Sequence, residues 1–119
     1  MTISFNKALG TYEAALTART ERAQVLANNL ANADTPGFKA RDVDFQAALN
    51  RQLGNRPHAG SASSASLLYR TPTQPSIDGN TVDEHLEHAE YMANSLEFQV
   101  AFTLLNSRFK GLSRAINGE

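Results

Sequence analysis

Apolar residues recur by alternating threes and fours over two long stretches, with a patternless middle between them. Phe5, Leu9, Tyr12, Leu16, Ala23, Leu26 and Leu30 form the first stripe, interrupted once by Arg19. Phe98, Phe102, Leu105, Phe109, Leu112 and Ile116 form the second, and it is unbroken. Such spacing predicts amphipathic helices with a heptad seam. No proline precedes Pro36 or comes after Pro75, and Gly10 and Gly111 are the interior breakers. Helices over residues 5–32 and 82–116 would run roughly 40 and 50 Å at 1.5 Å per residue. A shifted row of Met92, Leu96, Val100 and Leu104 widens the second apolar face beyond what one antiparallel partner covers. The expected fold class is mainly α: two long terminal helices packed as an antiparallel coiled-coil-like pair, with a loop-rich middle holding short extended segments.

The middle, residues 33–81, divides by turn chemistry. Pro36 disfavours helix at Thr35, and Gly37 suits the positive-φ position of a type II turn. Val43 and Phe45 alternate as in a brief strand, and Asp44 is placed to cap a short helix over 45–53. Residues 54–66 are rich in Gly, Ser and Ala and read as a loop. Leu67–Tyr69 reads as a short strand or docking segment. Pro72 and Pro75 make residues 70–77 extended. Asp78-Gly79-Asn80 is a turn, and Thr81-Val82-Asp83-Glu84 matches a capping box that would make Thr81 the N-cap. With these bounds, 5–32 and 82–116 form one axial core and 33–81 the connector.

Polar residues at the end of the first helix are unusual in kind. Asn28, Asn29 and Asn32 crowd a helix terminus just before Thr35-Pro36-Gly37. Asn is a mediocre helix former because its amide competes for backbone partners. Two accounts stand: a frayed, solvated terminus, or an interface where amides that both donate and accept bond laterally between packed subunits.

Charge and composition then exclude function classes. The chain has 119 residues, with 11 Lys and Arg against 12 Asp and Glu, a net charge of −1. A nucleic-acid partner would need a basic surplus, so none is expected. There is no cysteine, which removes disulfides and thiolate metal sites. No apolar run approaches the roughly 20 residues of a transmembrane span, and residues 1–7 do not have the pattern of a cleaved secretory signal. His85 and His88 lie three apart beside Glu84, Glu87 and Glu90, a spacing that brings two imidazoles together. Without a third fixed ligand or a His-Glu-x-x-His pattern, a solvated charged face is the reading, and no metal or other cofactor is expected. No phosphate loop, nucleophile elbow or Ser/His/Asp grouping occurs, so no catalytic residue and no enzyme is expected.

Ala27-Asn28-Asn29-Leu30-Ala31-Asn32 with Thr35-Pro36-Gly37-Phe38-Lys39 resembles the N-terminal signature of bacterial flagellar axial proteins, the rod, hook and hook-associated family. Ala40-Arg41-Asp42-Val43-Asp44-Phe45 and the stretch Tyr69–Asp83 narrow the resemblance to proximal rod proteins of the flagellar basal body. The resemblance covers nearly the whole chain except the Ser/Ala loop. It implies a structural subunit that leaves the cell by flagellar type III export, without a cleaved signal, and polymerises through its terminal helices as part of the drive shaft for motility. It implies other rod subunits, the basal-body adaptor protein and the export gate as partners. Under it, Leu9, Tyr12, Leu16, Leu26, Leu30, Phe98, Phe102, Leu105, Phe109, Leu112 and Ile116 are candidates for subunit packing. Asn28, Asn29, Asn32, Thr35, Pro36 and Gly37 form the interface and turn motif, and Phe5 with Leu9 resembles an export-gate recognition pair. The alternative is a soluble cytoplasmic helical adaptor that binds a partner helix through the same stripes.

Overall fold

The computed structural model describes residues 5–52 and 67–118, with side chains described over 9–51 and 67–118. The expected loop over 54–66 and the position of Leu53 lie outside the described residues. Helix α1 (Phe5–Ala31) and helix α3 (Glu84–Asn117) run antiparallel along one another. Between them in sequence come strand β1 (Arg41–Val43), helix α2 (Phe45–Gln52) and strand β2 (Leu67–Tyr69). The fold is mainly helical, as the two stripes require. With extents of 64 × 32 × 18 Å and a radius of gyration of 18.2 Å, the chain is elongated. A compact globule of this length would have a radius of gyration of about 13–14 Å.

Gly10 and Gly111 lie within unbroken helix, so neither acts as a breaker. Past α1, Phe38 N–H donates to Thr35 O at 3.2 Å, and Gly37 takes a φ of 74°. This is the type II turn that Thr-Pro-Gly calls for. It docks on a second glycine turn, where Gly79 has a φ of 77° and a Cβ on it would sit 3.6 Å from the Gly37 Cα. Gly37 N–H donates to Asp78 O, and Thr81 N–H donates to Phe38 O, both at 2.9 Å.

β1 and β2 pair antiparallel, with Arg41 opposite Tyr69 and Val43 opposite Leu67. Asp44 caps α2, accepting from the Ala47 N–H at 3.2 Å. Val43 and Ala48 pack on Ala18, with Val25, Phe45 and Leu67 around them. The middle segment therefore uses a second face of α1, distinct from the one against α3. Ala18 is buried there, and Ala14, one turn earlier, is also buried, although a stripe drawn through large residues passes both by.

The cap of α3 corrects the sequence expectation. Asp83, not Thr81, is the N-cap, its side chain accepting from the Leu86 N–H at 3.2 Å. Thr81 is occupied elsewhere: its hydroxyl accepts from the Ala40 N–H at 2.7 Å. Its attachment to the chain entering β1 keeps the helix from starting there. At the other end, Gly118 closes α3 with a φ of 74° and an N–H bonded to Arg114 O.

Candidate functional site

Two regions of the helix pair differ sharply in how they are held. Toward the turn end, α1, α3 and the middle segment meet in a buried polar seam. Asn29 is 1% exposed; its Nδ2 donates to Arg41 O at 2.6 Å and to Glu87 Oε2 at 3.1 Å. Arg41 N–H donates back to Asn29 Oδ1 at 3.1 Å. The Asn29 amide thus pairs with β1 as a neighbouring strand would, and the lateral bonds expected of it are made within the chain. Asn32 also bonds locally, donating to Asn28 O and Oδ1 and accepting from the Thr35 hydroxyl. Asn28, Thr35, Pro36 and Gly37 are exposed. Asn80, 6% exposed, reaches back to the end of α1 and donates through Nδ2 to Asn32 O, Ala33 O and Thr35 O at 2.8–2.9 Å. These bonds tie the end of α1 and its turn to the segment that leads into α3.

An ionic cluster locks the same region. Arg22 grips Asp42 through Nε at 2.9 Å and Nη2 at 3.0 Å, and donates to Glu90 at 2.7 Å. Arg70 adds a 2.9 Å bond to Asp42. Arg70 Nε also lies 3.2 Å from Glu87 Oε1 as an ion pair. Its N–H is not aimed at that oxygen, so both atoms, with Asn94 Oδ1, are buried without a hydrogen bond. The bond to Asp42 holds the Arg22 guanidinium more basic than usual, against the opposing effect of burial. Burial pushes the Asp42 carboxyl up, but the bonds from Arg22 and the Val43 N–H and the nearby positive charges together hold it below its ordinary 3.8.

Arg19, the break in the first stripe, stacks its guanidinium 3.8 Å from the centre of the Phe45 ring and pairs with Glu97. Asn94 donates to Arg19 O at 2.9 Å. Sequence reasoning passed over Arg22, Asp42, Arg70, Asn80 and Asn94, and it placed Glu87 on a solvated charged face, whereas Glu87 is fully buried against Asn29 and Arg70. Extending the α3 stripe backward from Phe98 by its three-four alternation reaches Ser95, Tyr91 and His88, so Asn94 and Glu87 lie one position off it and the apolar pattern carries no signal for them.

Away from the turn end the pair is held more thinly. Leu9 is buried and Tyr12 and Leu16 are half-buried there, while Leu26, buried, and Leu30, half-buried, lie at the turn end. The side chain of Phe5 lies outside the described side chains. On α3 the stripe splits by heptads. Phe98, Leu105 and Leu112 are half-buried, whereas Phe102, Phe109 and Ile116 are 50–74% exposed. Met92, Leu96, Val100 and Leu104 are 50–69% exposed. One helix neighbour covers only part of the circumference of α3, and the rest of its apolar surface stays open. Among the described residues no group of His and acidic side chains could hold a metal, and no helix is long and apolar enough to cross a membrane.

A buried polar brace beside an open apolar helix face defines a class: a helical subunit built to pack against other helices. Comparison with known proteins names it. A family profile described as "Flagella basal body rod protein" matches residues 9–39. Flagellar basal body rod protein FlgB of Aeromonas hydrophila is 47% identical, covering 100% of this chain and 99% of the relative. FlgB of Cereibacter sphaeroides is 44% identical over 97% of this chain and 98% of the relative. FlgB of Salmonella typhimurium is 39% identical over 93% and 94%. The chain belongs to the FlgB family of flagellar basal body rod proteins. Membership places it in the basal body, as a rod subunit assembling with other rod components.

Proposed function

We propose that this chain is a structural subunit of the proximal rod, exported by the flagellar type III apparatus and polymerised through its terminal helices into part of the drive shaft. The observation that carries the reading is the open apolar surface of α3, with Phe102, Phe109 and Ile116 half or more exposed. A surface of that extent is an association surface. In the rod, residues 5–32 and 82–116 form the axial core and 33–81 an outer arm. The arm is rigidly set by the seam around Asn29 and Asp42, a connection suited to carrying torque. Export-gate contact falls to the N-terminal end, where Phe5 and Leu9 form the recognition pair; the adaptor protein and other rod subunits take the remaining contacts. Asn28, Asn32 and the exposed Thr35-Pro36-Gly37 turn supply polar contacts at the edge of the core.

The test is complementation of a strain lacking the chain. Phe102→Asp should be made and exported yet fail to enter rods, because packing would bury an unpaired carboxylate. Its fold in solution should survive, since Phe102 is 50% exposed. Swimming by that strain would count against the packing role. Secretion that persists without the export apparatus would count against the route.

A further inference from the structure

The solvent faces of the two long helices are unlike ordinary solvent faces. On α3, Met92, Leu96, Val100 and Leu104 follow an i, i+4 ridge turned roughly 140° away from the buried Asn94, at 100° per residue. On α1, the exposed residues Thr17, Thr20, Gln24, Ala27 and Ala31 form a stripe with no charge. A helix face that meets only water is typically rich in Lys and Glu. One face therefore carries a large-residue ridge and the other an uncharged row, mostly Thr and Ala, against which a ridge can lie closely.

We infer that the Met92–Leu104 ridge of α3 seats on the Thr17–Ala31 face of α1 in a second copy of this chain, antiparallel, with Lys110 of one copy against Glu13 of the next. The inference rests on the proposed polymerisation through the terminal helices. Charge sets the orientation. Glu13 and Lys110 are both exposed and make no ion pair among the described residues. The antiparallel register that joins them also places Leu96 over Ala27 and Met92 over Ala31. Antiparallel is also the orientation that parallel copies impose, because α1 and α3 already oppose one another within each chain. The contact joins two different faces, so it does not close on itself as a two-fold dimer would. It propagates into an open filament.

The chain has no cysteine, so an introduced pair reports without background. Ala27→Cys and Leu96→Cys, both at exposed positions, are combined in one chain supplied as the sole copy, and isolated basal bodies are oxidised. The expected result is a ladder of dimers, trimers and higher species, absent with either cysteine alone. Glu13→Lys should abolish the ladder, and adding Lys110→Glu should restore it. A dimer from Leu96→Cys alone would mean that α3 packs on α3, overturning the inference. So would a single adduct of another mass, which would put a different rod component on this face. Motile cells with the chain in their rods and no ladder would overturn this contact while leaving the rod reading intact. Absence of the wild-type chain from basal bodies would sink both.

Discussion

Asn29 shows how much one side chain decides. Its amide meets both the N–H and the carbonyl of Arg41 and also the Glu87 carboxylate, with Asn29 and Glu87 themselves buried. Truncation leaves these groups without partners, so Asn29→Ala should lower unfolding free energy by about 2–4 kcal/mol. Asn32→Ala, which removes exposed local bonds, should cost under about 1 kcal/mol. Urea melts of the two variants check the order, and equal losses would refute it. Asp42 adds a pH dependence. Its carboxyl keeps its charge to lower pH in the folded chain than in the unfolded one. Its contribution is therefore complete above the ordinary value of 3.8 and disappears as pH falls through the lower folded value. Asp42→Asn should cost about 1–3 kcal/mol at neutral pH and flatten the loss of stability below pH 4, measured by melts across pH 2–6. The abundance of asparagine at the end of α1 was legible from the sequence. The partner of Asn29 was not, because Arg41 and Glu87 reach it only through the turn at Pro36-Gly37 and the long return to α3.

At the scale of elements, local chemistry predicted most of what formed. Thr35-Pro36-Gly37 dictated its turn, Asp44 its cap, and Leu67–Tyr69 its strand. The start of α3 was misplaced because Thr81 and Asp83 are both good N-caps, and the choice between them depends on Ala40, some 40 residues away in sequence. Ala14 and Ala18 were missed for a related reason. Alanine does not signal a face, but at Ala18 it lets the arm approach α1 closely. Gly111 offers a clean element-level prediction. A Cβ added there meets nothing within 4 Å, and glycine inside a helix costs about 1 kcal/mol against alanine. Gly111→Ala should raise the helicity of α3 and the thermal midpoint of the isolated chain. No gain by circular dichroism would mean that the C-terminal end of α3 is not helical in solution.

On the scale of the whole molecule, the division between a braced region and an open one leads to a prediction about order. Around Arg19–Asn29 and Glu84–Glu97, the helices are held by the polar seam, by the Ala18–Val43–Ala48 core and by the ionic cluster. From Phe98 to Asn117, α3 holds α1 through half-buried Phe98, Leu105 and Leu112 and a long 3.3 Å bond from Arg108 to the Tyr12 hydroxyl. Few buried apolar contacts and an exposed helix surface mean a low free energy of local opening. In dilute solution the amides of 100–117 should therefore exchange with solvent much faster than those of 86–97, although both belong to one continuous helix. Raising the concentration should slow exchange in 100–117 and increase helicity, because association covers the apolar face and stabilises what it covers by mass action. Uniform protection along α3 at low concentration, with no dependence on concentration, would refute assembly-coupled ordering. The seam would then be one interaction among many, and the open face of α3 would need no partner to stay helical.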